Sequence, residues 1–163
     1  MEPTCPFSDR AFGKFDELLA RAGEDLLTIK IRLLSQPWHL LSPVVTRAIL
    51  AASTTEQGKS AAKAVMTTVF AHRDEFDLTN HCSGQNLDLS IRDILNLIER
   101  YSGLPVSVAF ELPDLDREMK WHAKYARQNG IHVSPSFMVD GLVAADMSSG
   151  DTVEVWLTKM GLP

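Results

Sequence analysis

The sequence predicts an α/β chain whose strand-bearing part is split in two by a helical middle. Three observations carry this reading. Leu27, Ile29, Ile31 and Leu33 alternate with Thr28, Lys30 and Arg32, the period of two that marks a strand. From Ser42 to Asn129 the apolar residues recur at helical spacing. Beyond that stretch, Ser136–Val139 and Leu142–Ala145 flank Asp140-Gly141, a two-residue turn that favours a hairpin. The 163 residues are therefore expected to build one interrupted fold. Residues 1–41 and 130–163 would form a discontinuous α/β unit, and 42–129 a helical insertion.

Taken in order, the first helix is expected to start at Pro6, whose missing N–H costs nothing in a first turn. Phe7, Ala11, Phe15, Leu18 and Ala22 give it one apolar face, and Gly23 stops it. The strand over Leu27–Leu33 follows and breaks at Ser35-Gln36-Pro37. Ser42-Pro43 is a cap and first-turn pair for the next helix. Thr54 and Gln57 have capping-box spacing ahead of a helix through Ala61, Val65, Val69 and His72. Asp77–Asp88 is polar and reads as a loop. Ser90 caps a helix carrying Ile91, Ile94, Leu95 and Ile98, which Gly103 ends. A short helix is expected near Val106–Phe110 and a longer one from Asp114 to Asn129. After the hairpin, Ser148 and Ser149 are positioned to cap a last helix through Val153, Val155 and Trp156.

Composition narrows the function. Lys and Arg total 16 against 21 Asp and Glu, a net charge of −5. That balance argues against a general nucleic-acid binder, which needs a basic face to neutralise phosphates. No apolar run reaches the roughly 18 residues of a membrane span, and the first ten residues lack the basic and apolar regions of a signal peptide. A cytoplasmic location is the expectation, in which thiols stay reduced. Two cysteines, Cys5 and Cys82, are too few for a disulfide scaffold or a four-cysteine zinc site. No metal is expected: His81 and Cys82 are adjacent, and no second ligand pair at zinc spacing follows.

Cys5-Pro6-Phe7-Ser8 places a thiol at the start of the first helix. The unpaired N–H groups there favour an anion, so Cys5 is expected to be reactive as the thiolate. Ser8 lies one turn on, where its hydroxyl can donate to that thiolate, although it cannot attack a mixed disulfide as a second thiol would. Near the other end stands Val133-Ser134-Pro135-Ser136-Phe137-Met138-Val139-Asp140-Gly141, a proline directly before a hairpin strand.

A CPFS start, a helical insert and a Ser-Pro before the Asp-Gly hairpin together resemble the DsbA-like branch of the thioredoxin superfamily. That branch includes the kappa-class glutathione transferases and the 2-hydroxychromene-2-carboxylate isomerases. The resemblance implies a thioredoxin-like fold interrupted by an all-helical insertion, with Pro135 cis and beside Cys5. It implies that the Ser134 backbone pairs with the extended main chain of a bound peptide or glutathione. Ser149 and Asp151, at the start of the last helix, become candidates for holding glutathione, although simple capping suits them as well. The chain departs from both groups it resembles. The dithiol oxidases carry Cys where this chain has Ser8, and the isomerases and kappa transferases commonly carry Ser where it has Cys5. Its logic is that of a monothiol glutaredoxin.

The leading expectation is an oxidoreductase with one reactive cysteine, acting by thiol–disulfide exchange or glutathione-linked transfer. Cys5 and Ser8 would be catalytic and Ser134 and Pro135 substrate-binding. Without a second local thiol, an external thiol must resolve the mixed disulfide, or Cys82 must. Two alternatives stand beside it: a non-catalytic peptide-binding module, and a glutathione-dependent isomerase. His39 is either an acid–base group near the thiol or a half-buried residue at the start of the insert. Only Met1–Thr4 precede Cys5, and four residues span about 13 Å. The central strand that the thioredoxin fold places there is therefore expected to be short or missing, with another segment filling the gap or the start truncated.

Overall fold

Gly13 divides what the apolar spacing reads as one first helix. A computed structural model, which describes residues 1–163, shows α1 (Pro6–Phe12) and α2 (Phe15–Ala22) instead. The Lys14 N–H donates to Ala11 and tightens the turn between them. The Lys14 ammonium then reaches the carbonyls of Ser149 (2.7 Å) and Asp151 (2.6 Å), which anchors the joint to the far end of the chain.

The middle is helical, as its spacing predicts: α3 (Ser42–Ser53), α4 (Lys59–Ala71), α5 (Ile91–Ser102), α6 (Ser107–Phe110) and α7 (Asp114–Gln128). Its core joins Val45 and Ile49 of α3, Val65 and Val69 of α4, and Ile94 and Ile98 of α5. The loop before α5 holds two short 3₁₀ turns, Arg73–Glu75 and Gln85–Asp88, and a single bridge between Thr79 and Ser83. Ser90 and Asp93 form a reciprocal capping box on α5. The chain ends with β1 (Met138–Val139), β2 (Leu142–Val143) and α8 (Val153–Met160). β1 and β2 are antiparallel around Asp140-Gly141, with Val139 opposite Leu142 and Met138 opposite Val143. A second, smaller core packs Ala11, Leu18 and Ala22 against Val153, Trp156 and Leu157.

The caps differ from expectation at three places. Gly58, not Thr54, precedes α4, and Thr54 closes α3 by donating its hydroxyl to the Ala51 carbonyl. Leu41 rather than Ser42 is the N-cap of α3. Thr152 caps α8 by accepting from the Val155 N–H, so Ser148 and Ser149 do not. Serine and threonine are frequent at each of these turns, and the competition between them is settled by tertiary packing.

The segment 27–33 is extended and alternates in burial, with Thr28 and Lys30 exposed, Leu27, Ile29 and Ile31 half-buried and Leu33 buried. It is not a strand of a sheet. Its backbone pairs only at one end, where the Met1 amine donates to the Arg32 carbonyl (2.6 Å) and the Leu34 N–H donates to the Met1 carbonyl (2.8 Å). A period of two predicts extended backbone, but a ladder also needs a neighbouring chain.

Candidate active site around Cys5

Cys5 is the N-cap residue of α1, with extended backbone (φ −79°, ψ 127°), and Pro6 opens the helix behind it. Its side chain is buried. The thiol donates to the Ser134 carbonyl at 3.6 Å, across 129 residues of sequence. The Ser134–Pro135 peptide bond is cis. The turn before the hairpin thus lies directly against the start of α1.

Ser8 is fully buried one turn along α1. Its hydroxyl accepts from the Glu2 N–H at 3.2 Å, and no hydrogen bond joins it to Cys5. The expected hydroxyl-to-thiol contact is absent because Ser8 turns inward to satisfy the backbone of the first residues. Cys82 is exposed in the loop after Thr79, and both cysteines are free thiols.

The group that sequence reasoning missed is Glu2. Its carboxylate is fully buried and accepts from the Thr4 N–H (3.0 Å) and the Thr4 hydroxyl (3.1 Å). The His39 Nε2 lies 3.7 Å from a Glu2 oxygen, and its Nδ1 lies 3.3 Å from Asp77. His39 is itself buried, so it bridges two carboxylates rather than standing half-open at the start of the insert. It connects the first residues of the chain to the loop after α4. An acid placed between Met1 and Pro3, three residues before Cys5, was the only signal in the sequence.

His81, with positive φ, packs its ring edge-on to His39 at 4.9 Å. Ligand atoms of His39, Asp77 and His81 lie within 4.8 Å of one another, a spacing that could hold a divalent cation after small shifts. Cys82 is not part of that group.

Ser149 and Asp151 are engaged within the fold. The Asp151 carboxylate accepts from the Ser148 N–H (2.9 Å) and pairs with Lys159 (2.9 Å), which hold its carboxyl below the usual range. The Ser149 carbonyl takes the Lys14 ammonium, and the Ser149 side chain is largely covered. Both residues thus hold the turn before α8 together and tie it to Lys14 and Lys159.

His122 is buried beneath the extended segment. Its Nδ1 accepts from the Leu33 N–H at 3.3 Å, and burial pushes its pKa down. Arg32 lies over the Trp121 ring at 4.3 Å, and Trp121 stacks on Tyr125.

A cysteine at a helix start, a cis Ser-Pro against it and a run of helices between them in sequence fit a thioredoxin-like fold of the DsbA-like kind. The chain superposes on the crystal structure of a putative protein-disulfide isomerase from Pseudomonas syringae with a TM-score of 0.97 and 59% sequence identity. The match covers 99% of this chain and 90% of that one. The chain belongs to the same family as that protein, within the DsbA-like part of the thioredoxin superfamily. No family model matches the chain, and no curated protein does.

Proposed function

We propose that this protein is a thiol–disulfide oxidoreductase working through one thiol, that of Cys5. The observation that carries the reading is the contact between Cys5 and the Ser134 carbonyl beside Pro135. The buried cysteine lies beside residues 133–136, along which an extended substrate backbone would run in this reading. The Pseudomonas syringae relative, a putative protein-disulfide isomerase, supports the same chemistry.

The Cys5 thiolate attacks a substrate disulfide, forming a Cys5–sulfur bond and expelling one substrate thiolate. The second step needs another thiolate to attack the mixed disulfide and return Cys5 to its starting form. Ser8 cannot supply it. We assign that role to an external thiol of the glutathione kind, which a reducing, cytoplasmic compartment would provide. The Ser134 N–H has no backbone partner and is free to pair with the substrate main chain.

Incubation with glutathione disulfide and intact-mass analysis test this. A single glutathione adduct on Cys5, lost in Cys5→Ser and retained in Cys82→Ser, is the expected result. Exchange activity that survives Cys5→Ser would overturn the assignment. An adduct that forms on wild type and is then resolved without added thiol, but persists in Cys82→Ser, would move the resolving step to Cys82.

A further inference from the structure

Three side chains with metal-ligating atoms meet where the segment before α3 touches the loop after α4. His39 is buried, Asp77 is half-buried and His81 is exposed. One ligand atom from each lies within 4.8 Å of the other two. No local spacing announces the set, because His39 and Asp77 stand 38 residues apart.

The distances suit a small tetrahedral cation. At bond lengths of about 2.0–2.1 Å, two ligand atoms of such an ion stand about 3.3 Å apart. His39 Nδ1 and Asp77 Oδ1 are 3.3 Å apart. The Leu78 N–H donates to that same oxygen at 2.9 Å and orients it. The Asn86 side chain donates to the Asp77 carbonyl at 2.7 Å and fixes the residue in its loop. Arg73 lies 3.7 Å from the other carboxylate oxygen, which leaves Oδ1 to an ion. His81 stands in the turn that Thr79 and Ser83 close with reciprocal backbone bonds of 2.9 and 3.0 Å. Its exposed ring closes the remaining gap by rotating about its own side-chain bonds.

The far side of the His39 ring faces Glu2. Nε2 is 3.7 Å from a carboxylate oxygen that is itself fully buried. A metal-bound imidazole usually donates its second ring N–H to a carboxylate, carbonyl or water, which fixes the tautomer and makes the first nitrogen a better ligand. Charge agrees with this arrangement. Asp77 and Glu2 place two carboxylates around one imidazole, and a divalent cation balances both.

We propose that His39 Nδ1, Asp77 Oδ1 and an imidazole nitrogen of His81 form a binding site for a divalent transition-metal ion of the zinc kind. Glu2 orients His39, and one coordination position is left to water. Two imidazoles and a carboxylate select such an ion over magnesium or calcium, which prefer oxygen ligands. The ion ties the segment before α3 to the loop after α4 and so stabilises the folded chain. The site uses no atom of Cys5 and stands independently of the redox reading.

The test uses the whole untagged chain and zinc chloride as the probe. Calorimetry should show a tight equivalent of zinc, and that equivalent should remain in a Cys5→Ser/Cys82→Ser chain, where no thiol competes. The thermal midpoint of this chain should rise with zinc concentration. On the same background, His81→Ala changes an exposed residue and should keep the far-UV spectrum and the metal-free midpoint. It should weaken zinc binding by at least about a hundredfold, as the loss of one of three protein ligands. Glu2→Gln should weaken it by about tenfold to a hundredfold at unchanged stoichiometry. Cobalt(II) in place of zinc should give the strong visible bands of a four-coordinate ion. Zinc affinity that is the same with and without His81 would overturn the site. So would the absence of saturable binding in the Cys5→Ser/Cys82→Ser chain. Glutathione adduct formation on Cys5 in the zinc-free wild-type chain reads the redox assignment separately.

Discussion

A fully buried carboxylate three residues before Cys5 needs donors, and Glu2 finds them in the N–H and hydroxyl of Thr4, with His39 Nε2 3.7 Å away. Removing it strands the Thr4 N–H and leaves His39 with one partner. Glu2→Ala should therefore cost about 2–4 kcal/mol, read from urea unfolding. Ser8 is a subtler case, because its hydroxyl serves the Glu2 N–H and not Cys5. Ser8→Ala should cost about 1–2 kcal/mol in stability through that orphaned donor. Its exchange rate with glutathione disulfide should stay within about twofold of wild type, since no contact to the thiol is lost. A fall of more than about tenfold would mean that the hydroxyl serves the thiol during reaction. Met1 adds a pH dependence to the 163-residue chain. Its amine is lowered from 8.0 to about 6 by burial. Between those values the unfolded chain binds the proton and the folded chain does not, so stability rises with pH across this window. Lowering the pH from 8 to 6 should remove up to about 2–3 kcal/mol. An acetylated N-terminus, which carries no charge, should lose this slope in parallel urea titrations.

At the scale of elements, α5 offers the cleanest comparison between a cap and a core contact. Ser90→Ala breaks a capping box at an exposed helix start and should cost about 1 kcal/mol. Ile98→Ala, at a fully buried position of the same helix, should cost about 2–5 kcal/mol by leaving a cavity. Denaturant midpoints of the two variants, compared at equal slope, check both. This helix was legible in the sequence because its apolar spacing, its Ser90 start and its Gly103 stop agree. The same holds for α7, whose end at Gln128 lies one residue from expectation. The hairpin at Asp140-Gly141 was legible because few sequences tolerate the positive φ that both turn residues adopt. The 27–33 segment was legible only as extended chain, since pairing depends on a neighbour that periodicity does not encode. The closeness of Cys5 to Ser134 came from resemblance alone, and nothing local predicted the bridge from Glu2 through His39 to Asp77. Long-range polar contacts of this kind leave no periodic trace.

The whole molecule has two cores of unequal size. The helical middle buries 18 apolar residues in one cluster, while the terminal unit buries 6 between α1, α2 and α8. Leu27, Ile29 and Phe137 pack against the smaller one but stay only partly buried. Local stability follows buried apolar contact, so the terminal unit should open at lower free energy than the middle. Trp156 is fully buried in the smaller core, whereas Trp38 and Trp121 are 50% and 41% exposed. In a chain carrying Trp38→Phe and Trp121→Phe, fluorescence therefore reports the terminal unit, and the far-UV spectrum reports mainly the helices of the middle. The fluorescence midpoint in urea should fall below the helical one, a departure from two-state unfolding. Midpoints that coincide would show that the bridge from Glu2 through His39 to Asp77 couples the two cores into one cooperative unit.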